Sequence, residues 1–214
     1  MNSEKTIDRQ LELNTLYLRN MQRIKWRLNA ISDIREKRRT TTYMQTNIEF
    51  CVLQIRKILE LIAFSSLVSD TDIYKEKLNN IEKMWNAKLI FNDIERIHTE
   101  FYPCPIVIDE NSKHIWKDRQ EPYLTRDEFV RVYDRCGKFL HEDSPYKTDK
   151  QIQEEYEQLW EDIGEWGQLI INLLFTHTIK LYNQKELFYI AMGDTDAPPR
   201  GNIFTQVTEE QTNG

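Results

Sequence analysis

A chain of 214 residues, 40% hydrophobic and 30% charged, is long and apolar enough to bury a core without disulfides or metals, which excludes a disordered polyelectrolyte. Only 6 Gly and 6 Pro punctuate it, so long uninterrupted helices are favoured over a many-turned β fold. The net charge of −6 excludes a chain that is basic throughout, but it is unevenly spread: Arg19, Arg23, Lys25, Arg27, Arg35, Lys37, Arg38 and Arg39 crowd the first quarter, and nine acidic residues crowd 142–165. This asymmetry fits either a basic surface for a polyanion or two solvated helix faces.

The start is polar and no apolar signal region follows it. The longest near-apolar stretch, 169–175, is interrupted by Asn172 and falls far short of the roughly 20 residues of a membrane span. Cys51, Cys104 and Cys136 are odd in number and widely spaced. The expectation is a cytoplasmic protein with reduced thiols and no membrane contact.

In chain order, apolar residues at Leu11, Leu13, Leu16, Leu18, Met21, Ile24, Leu28, Ile31 and Ile34, the later ones stepping by three and four, predict a first helix over about 7–37. Thr40, Thr41 and Thr42 break it. The stretch 43–68 is apolar almost all round and belongs at the centre of a bundle, with Glu49, Arg56, Lys57 and Glu60 at its edge or paired. Two shorter helices are predicted at about 72–85 and 87–99. The period then changes, and Ile106-Val107-Ile108 and His114-Ile115-Trp116 read as the arms of a hairpin within 103–121.

Thr125 with Glu128 three residues on marks a new helix to about His141, which Ser144-Pro145 forbids from continuing. A last long helix is predicted from Thr148 or Asp149 to about Leu181, with His177 on its inner side as a core histidine. Leu187 to Ile190 and Ile203 to Thr205 flank a loop rich in Asp, Pro and Gly and suggest a second small hairpin within 185–208; 209–214 read as a frayed tail. The predicted fold is therefore all-α: a helical bundle with long N-terminal, central and C-terminal helices plus one or two small β-hairpins, as a single domain over 1–208.

Glycine-rich phosphate loops, a nucleophile elbow and paired cysteine ligands are all missing. Glu95-Arg96-Ile97-His98 has the Glu-x-x-His spacing of di-iron bundles, but a site of that kind needs a second copy. Gly193-Asp194-Thr195-Asp196 resembles the start of a calcium loop without its later ligands. No metal or other cofactor is expected. The hairpin aromatics His114 and Trp116, beside Lys113, Lys117 and Arg119, fit either base stacking or simple packing onto the bundle.

The segment around Arg135 is the richest in chemistry. Projected at about 100° per residue, Phe129, Val132, Tyr133, Cys136 and Leu140 face the core. Arg131, Asp134, Arg135, Lys138, His141 and Glu142 face away, with Arg135 and His141 flanking Lys138. An Arg followed by five residues and a His, on the later helix of a helical bundle, resembles the HEPN superfamily. The resemblance implies metal-independent RNA cleavage, often by a homodimer and often in toxins or defence components. It implies that His141 handles protons during attack of a ribose 2′-hydroxyl on the neighbouring phosphate and that Arg135 holds that phosphate. Lys138, Asp134 and Tyr146 are placed to assist in substrate binding. The same residues also fit surface ion pairs of Arg135 and His141 with Asp134, Glu142 or Asp143. A non-catalytic helical module that docks a protein partner is then the alternative function.

Overall fold

A computed structural model describes residues 2–69, 86–108, 116–142, 144–181 and 186–205. Within them lie five helices, here α1 (Asn2–Arg35), α2 (Met44–Ser69), α3 (Ala87–Glu95), α4 (Arg126–Phe139) and α5 (Asp149–Leu174). Five strands accompany them: β1 (Cys104–Ile108), β2 (Trp116–Asp118), β3 (Thr176–Lys180), β4 (Glu186–Ala191) and β5 (Arg200–Thr205). The helix expected over 72–85 lies outside the described residues.

The helices follow the apolar periodicity. On α1, Leu13, Tyr17, Met21, Ile24, Ile31 and Ile34 are buried along one stripe. The helix ends where Lys37 takes a left-handed conformation with φ 58°, its amide donating to the Ile34 carbonyl at 3.1 Å. Helix α2 is the hub, touching each of the other four helices. Ile48, Cys51, Val52, Ile55, Ile58, Leu59 and Ile62 are all inaccessible or nearly so. Even its Ser65 and Ser66 are buried, which the helix tolerates because their hydroxyls donate to the Leu61 and Ile62 carbonyls at 2.8 and 3.3 Å. Three of the four expected edge charges are paired: Arg56 with Glu60 at 3.5 Å, and Glu49 with the Tyr156 hydroxyl at 2.9 Å. Helix α5 opens on a full capping box, in which Thr148 and Gln151 satisfy one another's backbone amides.

The all-α expectation is wrong. The strands form one antiparallel sheet in the order β2-β1-β3-β4-β5, so the architecture is mixed, helices against a five-stranded sheet. The two expected hairpins correspond to β1 with β2 and β4 with β5, but the second arm of the first is Trp116–Asp118, and His114 and Ile115 lie outside the described residues. What joins them is β3, in the stretch expected to be the last turns of the final helix. That helix stops at Leu174, and Thr176, Thr178 and Ile179 are β-branched residues that favour the extended chain. Strand β3 then pairs β1 on one edge and β4 on the other. The inward row His177, Ile179, Phe188 and Ile190 packs on the helices, giving one hydrophobic cluster shared by both layers.

His177 is therefore a core histidine, as expected, but on a strand. Its Nε2 lies 2.8 Å from the buried Tyr17 hydroxyl, and its Nδ1 lies 2.9 Å from the Leu174 carbonyl. A carbonyl only accepts, so Nδ1 carries the proton and Nε2 accepts from Tyr17. Full burial pulls the imidazole pKa down to about 4. No helix among the described residues is long and apolar enough to cross a membrane.

Candidate functional site

Helix α4 is set by its N-cap and its apolar face. The Thr125 hydroxyl accepts from the Glu128 amide at 3.3 Å, while the Glu128 carboxylate turns outward to pair with Arg131. Phe129, Val132, Tyr133 and Cys136 are buried as the projection requires, and Phe129 meets Phe91 of α3 with ring centroids 4.2 Å apart. Leu140, expected inward, is 37% exposed because the helix ends at Phe139.

Gly137 marks a close approach. A Cβ there would stand 2.7 Å from a guanidinium nitrogen of Arg56, which crosses from α2. Arg56 lies 4.5 Å over the Tyr133 ring and donates to its hydroxyl at 3.1 Å. Burial pushes the Cys136 thiol up to about 12, against the weaker pull of Arg56 and Arg135. It stays protonated at neutral pH and is no nucleophile.

Beyond the end of α4 a groove of about 520 Å³ opens between α2, the turn after α4 and the start of α5. Lys138 and His141 line it, together with Glu49 from α2, Ser144 and Lys147 from the turn, and Glu155 and Tyr156 from α5. The Tyr156 ring packs edge-on against Phe139 at 5.0 Å. Lys147 is ion-paired to Glu155 and Glu49 accepts from Tyr156, so much of the polar wall is internally satisfied. Lys138 and His141 make no hydrogen bond or ion pair with another described residue. The groove thus offers one imidazole and the ammonium of Lys138, with three carboxylates, Glu49, Glu142 and Glu155, in its wall.

The candidate residues divide. His141 and Lys138 share the groove. Arg135 does not line it; its guanidinium pairs with Asp162 of α5 at 2.7 Å, with the arginine side chain 47% exposed. Asp134 is held by Lys88 of α3 at 2.7 Å. Tyr146 is 93% exposed and stands clear of the lining. Glu49, Ser144, Lys147, Glu155 and Tyr156 were not singled out from the sequence. The one available signal was Glu49, one of four charges on the largely apolar stretch 43–68.

Much of the basic run on α1 serves the fold. Lys25 is buried, Arg27 donates to Gln54 at 2.6 Å, and Arg35 reaches the Trp160 carbonyl and stacks 4.7 Å over that ring. Arg38 and Arg39 both pair with Asp33. Arg19 and Arg23 remain exposed. No protein-family model, no curated protein and no solved structure matches this chain.

Proposed function

We propose that the protein is a HEPN-like RNA-binding protein that cleaves RNA without a metal in the groove beyond α4. The observation that carries this reading is the meeting of His141 and Lys138, neither paired with another described residue, in a groove roomy enough for a nucleotide's phosphate and ribose. In this reading the His141 imidazole takes the proton from a ribose 2′-hydroxyl as that oxygen attacks the adjacent phosphorus. The P–O5′ bond breaks, the leaving oxygen takes up a proton, and a 2′,3′-cyclic phosphate remains. Lys138 lies beside the charge that develops on the phosphoryl oxygens. Arg135 joins by exchanging Asp162 for the phosphate. The exchange breaks a pair in which the arginine side chain is 47% exposed and the aspartate 18% exposed.

A second reading, a non-catalytic module that docks a protein partner, is favoured by one observation: Arg135 is already engaged by Asp162. Incubating end-labelled single-stranded RNA with the protein in excess EDTA separates the two. Catalysis requires 2′,3′-cyclic phosphate ends, a loss of activity in Arg135→Ala and His141→Ala, and tighter RNA binding in Asp162→Asn. Retention of full activity in both alanine variants removes the site as assigned. Absence of cleavage at any protein concentration, with a stable protein complex in its place, favours the docking module.

A further inference from the structure

The turn between β4 and β5 is built around a positive charge. Four of its carbonyls converge on the Lys25 ammonium, which reaches in from α1: Met192 at 2.5 Å, Asp194 at 2.6 Å, Ala197 at 2.6 Å and Gly193 at 3.2 Å. Gly193 makes this possible, since its φ of 67° lies where glycine is at ease, and the Ala197 amide donates back to the Asp194 carbonyl at 3.0 Å to close the turn. The lysine is only 6% exposed. An ammonium has three N–H donors, so three short bonds and one longer shared one satisfy it without water. Asp194 and Asp196 add negative field from their side chains.

Carbonyls turned inward repel one another and carry a desolvation cost unless a cation or donor sits between them. Calcium would need six to eight oxygens, commonly with a bidentate carboxylate. This turn supplies four neutral carbonyls, which suits a single positive charge with N–H donors. The motif Gly193-Asp194-Thr195-Asp196 thus resembles a calcium loop for a physical reason: it does enclose a cation, and the chain supplies that cation itself.

We infer that the turn 192–197 is a monovalent-cation site whose resident ion is the Lys25 ammonium, and that it takes up a primary ammonium ion when that side chain is shortened. Lys25→Ala removes the atoms of propylammonium, so thermal unfolding of the full chain is measured with and without 100 mM propylammonium chloride. The variant should melt roughly 6–12 °C below the parent protein, given that the Met192, Gly193 and Ala197 carbonyls lose their donor while that of Asp194 keeps the Ala197 amide. Propylammonium should restore at least half of that loss and leave the parent protein unmoved, while tetramethylammonium, with no N–H to donate, restores none. A variant as stable as the parent protein, or equal effects of the two ions, overturns the inference. Should the variant fail to fold, reductive methylation of the unaltered protein decides. Lys25 should react at least tenfold more slowly than Lys150, whose side chain is 84% exposed. Equal rates overturn the assignment.

Discussion

Mild acid should weaken this protein through His177 before its carboxylates begin to titrate. The folded protein holds the imidazole neutral, donating to Leu174 and accepting from Tyr17, and resists protonation down to about pH 4. The unfolded chain takes up the proton near pH 6.5. The stabilisation from the neutral imidazole is therefore fully present above about pH 6.5, falls as pH drops toward 4, and falls no further below that. The whole window corresponds to roughly 3 kcal/mol, and the part between pH 7 and pH 5 to about 2 kcal/mol. Urea midpoints measured every half pH unit from 7 to 5 read this directly. Replacing the ring by His177→Gln keeps a polar side chain near the Tyr17 hydroxyl but removes the titration. That variant should start about 1–3 kcal/mol less stable at pH 7 and then lose about 2 kcal/mol less on going to pH 5. If the parent protein and the variant weaken in parallel, His177 is not the acid-sensitive group.

Three further outcomes follow from local geometry. Lys37→Gly should stabilise the protein by about 0.5–1 kcal/mol in urea unfolding, because Lys37 ends α1 at φ 58° where a Cβ is unfavourable. Gly193→Ala should destabilise it by about 1 kcal/mol or more, since φ is 67° and the new Cβ would meet that of Ala197 at 3.3 Å; an unchanged melting temperature would contradict this. Toward a thiol reagent at pH 8, the exposed Cys104 should react first, while Cys51 and Cys136, buried and pushed up to about 11 and about 12, should react only on unfolding.

The helical part of this fold was legible because each helix buries a stripe that recurs every three or four residues, from Leu13 to Ile34 on α1 and Leu159 to Leu174 on α5. The sheet was half legible. Its hairpins announce themselves by turns and β-branched runs, but β3 was masked because Leu174, His177, Thr178 and Leu181 continue the helical spacing by coincidence. Only the pairing of β3 with β1, distant in sequence, and with β4, the next strand along the chain, decides between helix and strand there. The same limit applies to the site. The polar face carrying Lys138 and His141 follows from the projection of one helix, whereas Glu49 and Tyr156 reach the groove from other helices. Arg135 shows the limit most clearly: of the nearby acids expected as partners, Asp134 pairs with Lys88 and Asp143 lies outside the described residues, while Arg135 pairs with Asp162 on the next helix.

Under the proposed function, His141 carries proton transfer in RNA cleavage. The most direct measurement is the single-turnover rate on one labelled RNA in EDTA, for the parent protein and for His141→Ala shown by circular dichroism to be folded. Under the proposed function the rate falls about 10²-fold or more in the variant, the range expected for losing a positioned acid–base group. Equal rates in the two proteins would contradict it.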